Sequence, residues 1–258
     1  MRYETITFDV DEGLALLTLN RPDTLNGLNT QMRAEIPHAV KAAATSARAL
    51  VITGAGRAFC SGQDLGDGAD VADLDLERTL RDEYTPMLDA IVNSPIPTLA
   101  AVNGAAAGAG ANLALACDVT IAAYSAYFMQ AFARIGLIPD AGGTYVMPRS
   151  MGMAKAMGAA LFADKITATQ ADEWGLIWEA VADDAFDAHW RKRAAHLANG
   201  PTHAFAAMKR VIRASWGNDF NDQLMLEAEE QGTCGHSRDF KEGVLAFMQK
   251  RPAKFEGR

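Results

Sequence analysis

The chain has 258 residues, 49% of them hydrophobic and 22% charged, with a net charge of −8. This composition suits a globular protein with a large core and excludes disorder as the default; the acidic balance argues against nucleic acid as the main partner, though a local basic patch could still hold a phosphorylated ligand. Cys60, Cys117 and Cys234 show neither CxxC pairing nor metal-ligand spacing, the start lacks a secretory apolar region, and no apolar run approaches the about 20 residues of a membrane span, so reduced thiols in a cytoplasm are expected, with no metal site.

Residues 3–10 alternate, with Ile6 and Phe8 on one side, and 14–19 are a second apolar run, so the two read as a hairpin. Asn20-Arg21-Pro22-Asp23 ends it, because proline has no N–H for the ladder. Asn29 or Thr30 is placed to cap a helix whose apolar side carries Met32, Ile36, Val40 and Ala43, with Pro37 bending or delaying it. Residues 49–53 read as a buried strand, followed by the glycine-rich loop Gly54-Ala-Gly-Arg-Ala-Phe-Cys-Ser-Gly-Gln-Asp-Leu. Residues 66–75, acidic and rich in glycine and alanine, read as a mobile surface loop. Leu80, Tyr84, Met87, Leu88 and Ile91 then fall at helical spacing before Pro95 and Pro97.

Residues 99–102 form an apolar run that empties into a turn of small residues, 104–111, before Leu113 and Leu115. Strand, tight turn and helix start are the expected order. The first N–H groups of such a helix lack intrahelical partners and suit a polarised carbonyl oxygen or a phosphate, but close helix-on-strand packing accounts for the small residues equally well. A further strand is expected at 119–122, helices at 151–161 and 167–174 with Thr167 as cap, and a last strand at 178–181. From Asp184 no strand pattern recurs, and Phe205, Met208, Ile212 and Trp216, like Phe240, Val244, Phe247 and Met248, are spaced for helices. The chain thus reads as an α/β core over residues 1–195 and a helical region over 196–258, whose apolar stripe packs on the core or on a neighbouring subunit.

Gly54-x-Gly56 and Gly108-x-Gly110 begin a dinucleotide fingerprint but put Phe59 and Leu113 where its third glycine belongs. No Gly-Lys-Ser/Thr follows a glycine run, Ser61 and Ser150 lack a nucleophile elbow, and the five histidines lie in or at the edges of predicted helices. Asp140, between Pro139 and Ala141-Gly142-Gly143, has two readings. It caps a helix beginning near Gly143, or, among Leu137, Ile138 and Pro139, it is a partly desolvated carboxylate suited to carrying a proton.

Four blocks in register, Gly54 to Leu65, Ala101 to Ala111, Cys117-Asp118 and Gly136 to Thr144, resemble the enoyl-CoA hydratase/isomerase (crotonase) superfamily over nearly the whole chain. A narrower resemblance, to isomerases acting on ring-epoxidised phenylacetyl-CoA, rests on residues 62–65, 107–111, 137–140 and 173–178. The resemblance implies a ClpP/crotonase-like spiral of stacked ββα units, with a C-terminal helical region that builds a homotrimer or a dimer of trimers. It implies an oxyanion hole for the acyl-CoA thioester from the backbone N–H groups of Gln63 and Ala109. By the same matching Leu25, Ser61, Asp64, Leu65 and Gly66 lie along the CoA moiety, and Phe247 and Lys250 reach the CoA of an adjacent subunit. No cofactor is implied, CoA being part of the substrate. The two glutamates with which hydratases of this family handle water are replaced by Asn112 and Phe132, while Asp140 matches the position of an acidic residue in several isomerases. The expected activity is therefore acyl-CoA isomerisation: a ring epoxide to an oxepin-CoA, a 3-enoyl-CoA to a 2-enoyl-CoA, or both. Enoyl-CoA hydration is the alternative, and a crotonase-fold binding or scaffold protein is the alternative of another class.

Overall fold

The computed structural model describes residues 3–64, 66 and 75–258. The alternating N-terminal runs pair as an antiparallel hairpin, β1 (Ile6–Asp11) and β2 (Leu14–Leu19). Glu12 and Gly13 both take positive φ at its turn, as a tight two-residue connection requires. The Asn29 side chain accepts from the Met32 N–H at the start of α1 (Thr30–Ser46), which runs through Pro37 without a break. Then come β3 (Ala49–Gly54), β4 (Ala58–Cys60), α2 (Leu76–Thr79), a π-helical turn at Leu80–Tyr84 and α3 (Thr85–Val92). Next are β5 (Thr98–Val102), β6 (Ala105–Ala107), α4 (Ala109–Leu115), β7 (Val119–Ala123), β8 (Tyr127–Met129) and a 3-10 turn at Ala131–Ile135. The chain continues as α5 (Gly143–Ser150), α6 (Gly152–Phe162), β9 (Lys165–Thr167), α7 (Ala168–Glu173), β10 (Glu179–Val181) and α8 (Asp183–Ala198). It closes with α9 (Thr202–Ala214), α10 (Phe220–Gly235) and α11 (Arg238–Met248).

Three times in succession one strand enters a six-stranded sheet and the next enters a four-stranded one: β3 then β4, β5 then β6, β7 then β8. The orders are β1-β2-β3-β5-β7-β10 and β4-β6-β8-β9; apart from the β1–β2 and β8–β9 pairs the neighbours are parallel. This is the stacking of strand–strand–helix units that the sequence implies. Residues 105–107, expected within a turn, form a strand instead, because alanine's small side chain lets β6 lie between β4 and β8. The parallel strands β3 and β5, buried on both faces, give the continuous apolar runs of the sequence. Phe186, Trp190 and Ala194 of α8 belong to the same core as Leu17, Ile52 and Leu99. The boundary expected at 195/196 therefore falls inside α8, and the change of region lies at the turn after Ala198.

Small residues fix how closely the repeats stack. A Cβ on Gly104 would lie 2.2 Å from the Arg57 carbonyl oxygen, and one on Gly110 2.3 Å from that of Cys60. No side-chain rotation relieves a collision with backbone. Gly110→Ala is therefore expected to lower stability by about 3 kcal/mol, read as a fall in the urea midpoint at constant m-value.

Candidate active site

β4 and β6 are parallel neighbours, so their C-terminal ends deliver two loops to one place. After β4, residues 61–64 run beside 25–28: Ser61 N–H donates to the Leu25 carbonyl at 3.0 Å, Leu28 N–H to Gly62 at 2.8 Å, and Asp64 N–H to Leu28 at 3.2 Å. Extended chains point successive amides to opposite sides. The Gln63 N–H consequently faces away from this pairing, with no hydrogen-bond partner among the described residues. After β6, Gly108 turns with φ of 53°, its N–H donating to Met129 at 2.8 Å, and Ala109 opens α4. As the first helical residue, Ala109 has an N–H with no intrahelical acceptor. The two loops touch, since a Cβ on Gly62 would lie 2.8 Å from the Ala107 carbonyl oxygen and 3.4 Å from the Ala109 nitrogen. Two amides with no acceptor among the described residues thus lie on touching loops, an arrangement suited to a developing oxyanion.

Asp140 is half-buried in the segment between the 3-10 turn and α5, and one of its carboxylate oxygens is buried without a hydrogen-bond partner among the described residues. Burial raises its pKa to about 6, partly offset by a hydrogen bond from its own N–H. The capping reading does not hold: α5 starts at Gly143 with Gly142 as its N-cap and no side-chain cap, and it is the Asp140 backbone carbonyl that accepts from Gly143, at 2.8 Å. Ala141 and Gly142 follow with φ of 48° and 83°.

Asn112, one helical turn beyond Ala109, holds this segment. Its Nδ2 donates to the Asp140 carbonyl oxygen at 2.8 Å and to Gln130 Oε1 at 3.2 Å, and its Oδ1 accepts from Gln130 Nε2 at 2.9 Å. Both residues are buried, and a Cβ on Gly143 would collide with the Asn112 amide. Phe132, 7% exposed, approaches Gly108. Phe132 thus puts an apolar ring beside the turn that precedes Ala109.

A second polar cluster surrounds Gln63. Gln63 Oε1 accepts from Tyr84 Oη at 2.5 Å and from Arg33 Nη1 at 3.1 Å, while Arg33, 4% exposed, pairs with Glu83 at 2.7 Å and places its guanidinium 5.2 Å from the centre of the Tyr84 ring. Burial raises the Tyr84 pKa, and the Asp140 charge adds to the rise, so phenol and carboxylate share one environment.

Gln63, Ala109 and Asp140 are brought together with Asn112, Gln130, Arg33 and Tyr84. Leu25 and Ser61 flank them through their backbone pairing, and Gly66 N–H caps Asp64 Oδ1 at 2.9 Å. The Asp64 carboxylate pairs with Arg21 at 2.7 Å; burial opposes its charge, but the Arg21 hydrogen bond and charge outweigh it and hold its pKa below the ordinary value. Leu65 and residues 67–74 lie outside the described residues. Phe247, 85% exposed near the end of α11, lines a 530 Å³ depression among C-terminal residues, and Lys250 follows with φ of 53°. None of the residues around that depression belongs to the loops at 61–66 or 107–112. Sequence reasoning missed Arg33, Tyr84 and Gln130; the signal available for Arg33 was its 33, 36, 40 spacing with the apolar stripe of α1.

A model of the family described as enoyl-CoA hydratase/isomerase matches residues 9–258. The chain is 61% identical over 258 residues to a probable enoyl-CoA hydratase of Rhodobacter capsulatus, with 100% of both chains covered. It is 43% identical over 260 residues to the 1,2-epoxyphenylacetyl-CoA isomerase of Escherichia coli, with 99% of each covered. The fold superposes on the crystal structure of an enoyl-CoA hydratase from Polaromonas sp. JS666 with a TM-score of 0.92 at 30% identity, covering 97% of this chain and 99% of that one. By its sequence throughout and by its fold, the chain belongs to the enoyl-CoA hydratase/isomerase, or crotonase, family, and it is an enzyme of that family acting on CoA thioesters.

Proposed function

We propose that the protein is an acyl-CoA isomerase in which Asp140 moves a proton between carbons of a thioester held by the Gln63 and Ala109 N–H groups. The observation that carries this reading is the solitary state of Asp140. It is a desolvated carboxylate with an oxygen unpaired among the described residues, its backbone carbonyl held by an Asn112 whose two amide protons are already engaged. For a 3-enoyl-CoA the two N–H groups take up charge at the thioester oxygen as the Asp140 carboxylate removes a proton from C2. The dienolate carries the double bond to C2–C3, and the Asp140 carboxylic acid returns the proton at C4. Nothing is added or lost. Each N–H of such a hole is worth about 10²–10³ in rate. The E. coli relative's name and the shared motifs support a ring epoxide as the acyl group, rearranged to an oxepin-CoA.

Hydration is the second reading, favoured by the name of the R. capsulatus relative. It requires a group to orient water and another to deprotonate it. Asn112 cannot titrate and Phe132 offers neither donor nor acceptor. We also propose assembly as a trimer or a dimer of trimers. Trp216, Phe220, Met225 and Phe247, all in the C-terminal region, are each more than three-fifths exposed, which exceeds what an isolated globular chain leaves uncovered in one region.

Size-exclusion chromatography with light scattering is expected to give three or six chains per particle at micromolar concentration; a monomer overturns the assembly. Asp140→Asn is expected to lower 3-enoyl-CoA isomerisation about 10³-fold, and the wild-type rate should fall as pH drops through about 6. An Asn variant at the wild-type rate removes Asp140 from the chemistry, and efficient hydration of crotonyl-CoA by the wild type restores the hydratase reading. The same substitution should stabilise the fold at alkaline pH. A folded-state pKa of about 6 above the unfolded 3.8 means that the folded chain binds the extra proton between these values, so stability falls as pH rises through that window. Asn has no charge to desolvate. After allowance for partial exposure, a gain of about 1 kcal/mol at pH 8 that vanishes by pH 4 is expected in chemical unfolding.

A further inference from the structure

The Arg33–Gln63–Tyr84 cluster is more elaborate than a backbone N–H needs. A guanidinium can only donate, so the Gln63 amide atom facing Arg33 must be the oxygen, whichever way the amide is first drawn. Tyr84 Oη, at 2.5 Å, occupies a second lone pair of that oxygen. The carboxamide is therefore held in one orientation by two donors, one of which is locked in turn by Glu83 through Nε at 2.9 Å and Nη2 at 2.7 Å. Burial keeps the Tyr84 phenol protonated well beyond neutral pH, so this orientation does not switch as the site titrates.

With its oxygen turned inward, Gln63 is left with an NH₂ group that has no acceptor among the described residues. Unlike the Asp140 oxygen, Nε2 is not sealed from outside. It also sits on the residue whose backbone N–H is placed to hold the thioester. A cation and a phenol both pulling on Oε1 make the two N–H bonds opposite better donors.

We propose that the Gln63 side chain is a specificity-determining group: its Nε2 donates to an acceptor oxygen on the acyl moiety, so that the site selects acyl-CoA thioesters carrying a ring ether, epoxide or similar oxygen near the thioester. Arg33 and Tyr84 are positioning residues that aim it. The proposal rests on the placement of the thioester at Gln63 and Ala109, but not on the identity of the base.

The test compares binding of two isosteric thioesters, 2-methoxyphenylacetyl-CoA and 2-ethylphenylacetyl-CoA, by calorimetry. They differ by an oxygen that only accepts. Relative to wild type, Gln63→Met and Gln63→Glu are each expected to lower the methoxy-over-ethyl preference by about 3- to 10-fold, the worth of one hydrogen bond. Gln63→Glu keeps acceptors for Arg33 and Tyr84 and removes only the donor, so a merely structural role predicts that this variant retains the preference. Tyr84→Phe, which frees one of two restraints on Oε1, should lose part of it. A preference absent from wild type, or unchanged in both Gln63 variants, overturns the proposal. If the preference behaves as stated while 3-enoyl-CoA is not isomerised, the selector stands and the isomerase reading fails.

Discussion

Everything at the site depends on two stretches of main chain being able to touch. Where β4 and β6 end, residues 60–63 and 107–110 run against each other so closely that Cβ atoms on Gly62 and Gly110 would strike carbonyl oxygens of the facing stretch. The contact serves two ends at once. It stacks successive repeats of the fold at their closest spacing, and it leaves two N–H groups, one at the edge of a strand-like pairing and one at a helix start, with no acceptor of their own. Neither amide is unsatisfied by accident. Gln63 is excluded from the Leu28 ladder by the alternation of an extended chain, and Ala109 by its rank in the helix.

Around those amides most polar side chains hold one another in place. Asn112 and Gln130 hydrogen-bond each other reciprocally, and Asn112 also grips the Asp140 carbonyl, so a residue that looks in sequence like a lost carboxylate sets the position of the remaining one. A glutamate at 112 could not donate to that carbonyl while ionised. The exchange of acid for amide therefore changes what the residue can do to its neighbour as well as to a water molecule. Asp140, its backbone fixed and one carboxylate oxygen unpaired, is left as the group with an unmet need.

The fold was legible because its signals are local. Hairpin, α1 with its Asn29 cap, buried β3 and β5, and the Thr167 capping box all follow from spacing within a few residues. β6 was not legible, because three alanines carry no strand signature and pair only when β4 and β8 flank them. Of the site, the loops and Asp140 stood out by composition, and the resemblance put names to Gln63 and Ala109. The supporting cluster did not stand out. Arg33, Tyr84 and Gln63 come from a helix, a π-helical turn and a loop, and charged or amide residues in such places ordinarily face water; only the fold shows Arg33 to be 4% exposed. The 195/196 division falls within α8 for a related reason. Helix α8 resembles the helices after it in sequence, but Phe186 and Trp190 pack into the sheet core.

The carboxylates near the site differ in how their environments treat their charge. Asp64 is tied to Arg21 and Glu83 to Arg33, each at 2.7 Å, and Asp64 is accordingly held below its ordinary pKa. Asp140 has no paired cation among the described residues, and burial moves it the other way, to about 6. Environments that drive similar groups apart mark out their roles: a paired carboxylate stays charged and structural, while an unpaired, desolvated one exchanges its proton near working pH. Supplying Asp140 with a cation of its own would satisfy its buried oxygen and weaken it as a base in the same stroke.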